Sequence, residues 1–386
     1  GFGVTQFYGI AAGLDGRVLG GTQDNGTILL DFTLNSARQG KRVHGGDGFF
    51  TDISKTNPEA MFSGTYFGDA TRSATAYSNY GGVNYFDTNI DDDGDGRPDD
   101  GAAFYFPQKL WEEIDVNSPD YGTGLMFIGT YGGVWVGYDA LNFSTNPTWF
   151  KIAGPENGMQ TFGGRTFPTY FDITEDGDIL YVTTASGELY RVDGLASVTW
   201  EYDDAGTPTI PADDFFDPSA AGITVTRIAN FNGRYASSVA VDPNDPETVV
   251  LTLGNYGNSN YVYKSTTAAS ATGPGSFSSV QGNLPRMPVY SAVIDAGNSD
   301  NIIVGTEMGV YSSTNGGFQW SLDSEDFPLT PVYMIKQERV DDLSKDCYAI
   351  YAGTHGRGIY MTQSLTNAGC RVVTDVEDPE PANTLF

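Results

Sequence analysis

The 386-residue chain carries 20 Lys plus Arg against 49 Asp plus Glu, a formal net charge of -29. A field of that sign repels a phosphate backbone and excludes nucleic acid as a partner. No run approaches the ~18 to 20 apolar residues of a helical membrane span. The 49 glycines and 13% aromatic content suit many short strands joined by turns.

In chain order, one phrase recurs seven times: an apolar run, Gly-Thr or a close variant, a glycine soon after, and a second apolar run. The copies are Gly21-Thr22 with Gly26, Gly64-Thr65 with Gly68, Gly129-Thr130 with Gly132, Thr183-Thr184 with Gly187, Leu251-Thr252 with Gly254, Gly305-Thr306 with Gly309, and Gly353-Thr354 with Gly356. Each reads as strand, tight turn, strand. Successive threonines stand 43 to 68 residues apart, the length of a four-stranded blade plus loops. Seven units predict an all-β, seven-bladed β-propeller occupying 1-374 as a single domain, because a ring of repeats buries one continuous core. Each unit opens with an inner strand that often closes on an Asp and a turn, as in Phe50-Thr51-Asp52, Tyr170-Phe171-Asp172, Val239-Ala240-Val241-Asp242 and Ala292-Val293-Ile294-Asp295.

The two longest steps contain inserts, 87-100 and 201-221, both expected on the rim. The first holds Asp91, Asp93, Asp95 and Asp99 at positions one, three, five and nine of a calcium loop, with Gly96 at six. Position twelve is Ala102, so the loop lacks the usual bidentate Glu, and its expected role is structural Ca2+ binding; a solvated acidic loop is the alternative. The two cysteines, Cys347 and Cys370, flank the last unit. A disulfide between them would tie the final strand to its blade and place the protein in an oxidising compartment, the alternative being two buried thiols. The first and last units each show about three clear strands, so either terminus can supply the missing one, and the segment after Cys370 is the expected donor. The acidic, Pro-containing tail at 375-386 reads as a linker to a further domain. The start at Gly1, without Met or a signal sequence, reads as a processed protein or an excised domain.

In a propeller, the turn between the second and third strands opens on the same face as the lead-in to the inner strand. That selects Asp24, Tyr66, Tyr131, Tyr256, Glu307, His355 and Arg357 from the turns and Asp47, Arg165, Arg234 and Arg286 from the lead-ins. The three lead-in arginines precede equivalent strands of successive units and can grip a carboxylate or sulfate; pairing of each with a neighbouring Asp is the alternative. Asp24 and Asp47 can serve as an acid and a base or nucleophile for glycoside cleavage, or cap their own glycine-flanked turns. With only His44 and His355, a histidine metal site is not indicated.

Ser313-Thr314-Asn315-Gly316-Gly317-Phe318-Gln319-Trp320 resembles the Asp-box (BNR) hairpin, Ser-x-Asp-x-Gly-x-x-Trp, with Asn315 in place of Asp. Weaker copies are Ser144-Thr145-Asn146-Pro147-Thr148-Trp149, which lacks the Gly, and Lys264-Ser265-Thr266. With Gly20 to Gly26, Gly45 to Gly48 and Gly353 to Gly358, residues 5 to 365 resemble the sortilin-like and xyloglucanase-like propellers. The resemblance implies that Ser313, Asn315, Gly317 and Trp320 hold a turn. Such propellers mix secreted polysaccharide-cleaving enzymes with non-catalytic modules that bind proteins or sit on bacterial surfaces, many exported by the type IX route. Sialidases, which also carry Asp boxes, hold their acidic sugar with an arginine trio. The expectation is an extracellular or bacterial cell-surface module that binds a protein or a glycan or serves as a structural part. The alternatives are a glycoside hydrolase of the xyloglucanase or sialidase type and a non-binding spacer in a larger exported protein.

Overall fold

A computed structural model describes residues 5–31, 40–78, 82–86, 101–160, 166–202, 216–323, 327–339 and 347–363. They form seven antiparallel sheets, six of four strands and one of three, each laid down in chain order from the inside outward. The inner strands are Phe7–Ala12, Thr51–Ile53, Gln108–Glu112, Pro168–Ile173, Ala236–Asp242, Val289–Asp295 and Val332–Arg339. Each packs beside the next, and the last packs beside the first. The chain is therefore a seven-bladed β-propeller, as the repeats predict.

The repeats build blades because each strand carries a continuous apolar run, read as a strand buried on both faces. Gly124–Gly129 and Leu180–Thr184, second strands of blades 3 and 4, are buried at every residue. Between blades lie Phe62, Phe127, Phe150 and Phe171, each at most 2% exposed. Burial of such a ring stabilises by about 2–3 kcal/mol. Glycine appears where blades approach most closely. A Cβ on Gly21 would sit 2.0 Å, and one on Gly9 2.2 Å, from the Phe49 carbonyl oxygen, so the lead-in of blade 2 crosses directly over blade 1.

The aspartates that close the inner strands pin neighbouring blades. Asp172 accepts the Val241 N–H at 2.9 Å and Lys109 Nζ at 3.1 Å. Asp295 accepts the Gln337 side-chain amide at 2.7 Å. At the outer edge, third-strand arginines reach into the following blade: Arg72 donates to the carbonyls of Ala140 and Thr145, and Arg191 to those of Ala268 and Ala271.

The hairpin at Ser313 is structural. Ser313 Oγ accepts the Gly317 N–H, Asn315 Oδ1 accepts the Gln319 N–H, and the buried Trp320 donates its indole N–H to the Val280 carbonyl of the preceding blade. Trp149 does the same toward Tyr85 at 2.9 Å. A further copy, absent from the sequence reading, begins at Ser73. Its Oγ accepts the Tyr77 N–H, and Ala76 and Tyr77 take φ of 48° and 49° where Gly316 and Gly317 take 70° and 96°.

The first unit holds four strands of its own, which corrects the expectation of three. Its N-terminal residues also bond to the last blade, through the Gln6–His355 bridge, the Gly356 N–H on the Thr5 carbonyl and the Ile10 N–H on Met334 Sδ. The last blade has three strands among the described residues. Cys347 is buried and disulfide-bonded; Cys370, the segment after it and the 375–386 tail lie outside the described residues.

Candidate functional site

Five inner strands, in blades 1, 4, 5, 6 and 7, carry a β-bulge at the same step after their first residue. A bulge re-aims one side chain. Here the bulged residues are Tyr8, Thr169, Ser237, Tyr290 and Tyr333, and the three tyrosines meet at the axis. Tyr290 stacks on Tyr333 at 4.4 Å, Tyr333 lies 5.0 Å from Tyr8, and His355 stands edge-on to both at 5.2 and 6.2 Å. Tyr8 also touches Tyr105 of blade 3 at 5.9 Å, and Phe50 of blade 2 touches Tyr170 of blade 4 at 5.7 Å. These contacts skip a blade, so aromatic rings close the axis. The sequence reading missed this plug; its signal is an aromatic in corresponding places, Phe7-Tyr8, Val289-Tyr290 and Val332-Tyr333.

Above the plug lies the face of the second-to-third-strand turns. Glu307 accepts a hydrogen bond from the Tyr290 hydroxyl, and its carboxylate lies near enough to the exposed Tyr256 hydroxyl to raise that phenol, after the effect of burial. Burial first, then the Glu307 carboxylate, pushes the Tyr290 phenol well above its ordinary value. Burial lowers His355, so it stays neutral near pH 7 although Glu307 pulls the other way. Its Nε2 is buried and has no hydrogen-bond partner.

On the blade 2 and 3 side, Tyr66 stacks with Phe104 at 7° between planes, and Phe67 packs on Phe104 at 5.4 Å. The three are 42%, 41% and 56% exposed. Phe104 runs on through Phe49 to the plug. Phe67 holds φ of 56°, a left-handed conformation that costs a non-glycine residue about 1–2 kcal/mol. A ring more than half exposed recovers only part of this through its edge contacts with Tyr66 and Phe104.

Asp24 and Asp47 adjoin, but the Asp47 carboxylate accepts the backbone N–H of Asp24 at 2.6 Å. One of the two carboxylates is thereby used to hold a turn, in which Asp24 takes φ of 64°. Arg234, Arg286 and Arg357 are exposed, and none forms an ion pair among the described residues. Arg165 lies outside the described residues, as do Asp91, Asp93, Asp95 and Asp99. Tyr66, Tyr131 and Tyr256 do not form one cluster: Tyr66 stacks on Phe104, Tyr131 packs on Phe167, and Tyr256 stands beside Glu307.

Below the plug is a cavity of about 150 Å³ lined by Lys109, Tyr170, Asp172, Lys336 and Glu338. Beside it, burial raises the Asp52 carboxyl to about 6, against the pull of Lys336 and Lys109. Lys336 lies over the Tyr170 ring at 5.5 Å. Among the described residues no group of three His, Cys, Asp or Glu is placed to hold a metal, and no helix is long and apolar enough to cross a membrane.

No protein-family model matches the sequence, and no curated protein matches it. The fold is similar to that of a GH74 enzyme from Niastella koreensis, with TM-score 0.58 and 15% identity over 95% of this chain and 53% of that one. It is similar to an ancestral GH74 enzyme, with TM-score 0.59 and 12% identity over 92% of this chain and 44% of that one. The chain thus spans about half the length of these enzymes. YCF48 from Cyanidioschyzon merolae is similar at TM-score 0.57 and 11% identity, over 93% of this chain and 95% of that one. At these identities the likeness is one of fold, a β-propeller.

Proposed function

We propose that this propeller is an extracellular or bacterial cell-surface module that binds a protein or glycan through its turn face, with calcium ordering the rim loop at 87-100. The observation that carries the reading is the exposed Tyr66, Phe67 and Phe104 platform, one ring of which sits in a conformation that opposes folding. Contiguous exposed aromatics mark interaction sites. The disulfide at Cys347 and the acidic surface suit export. Asp91, Asp93, Asp95 and Asp99 supply the hard oxygen donors that Ca2+ takes, and chelation is expected to lower the thermal midpoint.

The test compares wild type with Phe67→Gly on immobilised polysaccharides and on cell-envelope material. Binding is expected to fall at least about tenfold while stability rises. Absence of wild-type binding to every surface would leave the spacer reading. The hydrolase reading rests on the likeness of fold to the two GH74 enzymes. Release of reducing ends from the same polysaccharides, lost in Asp24→Asn, would establish it instead.

A further inference from the structure

We propose that the axial mouth around Glu307 is a binding site for an organic ammonium group, walled by Tyr8, Tyr256, Tyr290, Tyr333 and His355. The inference goes beyond the platform reading and does not depend on it.

Three observations carry it. First, Glu307 is half-buried and lacks a cationic partner among the described residues. Arg234 and Arg357 belong to neighbouring segments of the same face, and neither pairs with it. A half-buried carboxylate without a protein counter-charge attracts a ligand cation more strongly than one in bulk water would. Second, its side-chain hydrogen-bond partner is a neutral donor, the Tyr290 hydroxyl, with the Tyr256 hydroxyl close by. Third, repeated bulges deliver Tyr8, Tyr290 and Tyr333 to one spot, with ring centroids 4.4 and 5.0 Å apart and His355 closing the side. Aromatic faces attract ammonium groups and offer an anion nothing comparable. The carboxylates of Asp24 and Asp47, near enough to act on the Tyr8 hydroxyl, give the mouth the same sign. The combination selects for a cation with an apolar coat, either a small quaternary or primary ammonium compound or a lysine side chain of a partner protein.

The experiment is calorimetric titration of the intact chain with choline and with its uncharged carbon analogue, 3,3-dimethylbutan-1-ol. Saturable binding of choline alone is expected. It should weaken about tenfold or more in Glu307→Gln, which keeps an acceptor for Tyr290, and by several-fold in Tyr256→Ala, whose exposed ring can be removed without disturbing the core. Phe67→Gly should leave it unchanged, which separates this site from the platform. Equal binding of the neutral analogue, equal binding by Glu307→Gln, or no saturable binding of any ammonium probe would overturn the proposal. Blocked lysine and blocked trimethyl-lysine identify the source. Tighter binding of either than of choline points to a partner's lysine side chain, and the reverse to a free ammonium compound, both within the proposed chemistry.

Discussion

At the residue scale, Asp47 shows why a carboxylate in a turn is hard to assign from sequence. Its Oδ1 takes the N–H of Asp24, a residue in the left-handed region, so the pair forms a locked turn on the axial face. Asp47→Ala leaves that N–H without its partner and is expected to cost about 1 kcal/mol in a denaturant titration; an unchanged midpoint would mean the bond contributes nothing in solution. The Gly-flanked setting of both aspartates was legible, and so was the choice between catalysis and capping. The bond itself was not, because it depends on the intervening chain returning one carboxylate to a backbone N–H 23 positions away in sequence. Phe67 is the converse case. Nothing in its neighbours announces a strained, exposed ring, because φ is set by the turn that must carry Thr65 to Asp69, whose backbones bond at 2.7 Å.

At the scale of elements, the hairpins that follow the third strands show one geometry written in different residues. The copy at Ser313 was readable because glycines mark its two left-handed positions. The copy at Ser73 was not, since Ala76 and Tyr77 stand there and Ser73 alone keeps the Oγ bond to the fourth residue on. Ala76→Gly should therefore stabilise the protein by up to about 1 kcal/mol, relief of the left-handed strain exceeding the entropy that glycine adds to the unfolded chain. A lower melting temperature for this variant would show that the Ala76 methyl group, only 7% exposed, packs better than its backbone is strained. The arginine clamps belong to this scale too. Arg72 and Arg191 sit in third strands, and each ties its blade to carbonyls of the next.

At the scale of the whole molecule, closing the ring gathers side chains that are far apart in the chain. Asp52 meets Lys109 and Lys336 at the lower end of the axis, where burial raises its carboxyl to about 6 from an unfolded value near ~3.9. The folded state holds this proton more tightly, so its contribution is full below about pH 4 and is lost as pH rises through about 6. Asp52→Asn should thus stabilise the protein more at pH 7 than at pH 4, by on the order of 2 kcal/mol; an equal effect at both pH values would show that Asp52 titrates normally. The sequence by itself determined the repeat, the number of blades, the order of strands within each and the face on which turns and lead-ins open, because each depends on local alternation, turn chemistry and spacing. Only the tertiary structure decided which side chains reach the axis and each other: the tyrosine plug, the Glu307 mouth, the platform beside it and the charged cavity beneath. Those depend on a bulge that rotates one residue inward and on contacts between blades hundreds of residues apart; the sequence shows aromatics at Tyr8, Tyr290 and Tyr333 but not that they meet.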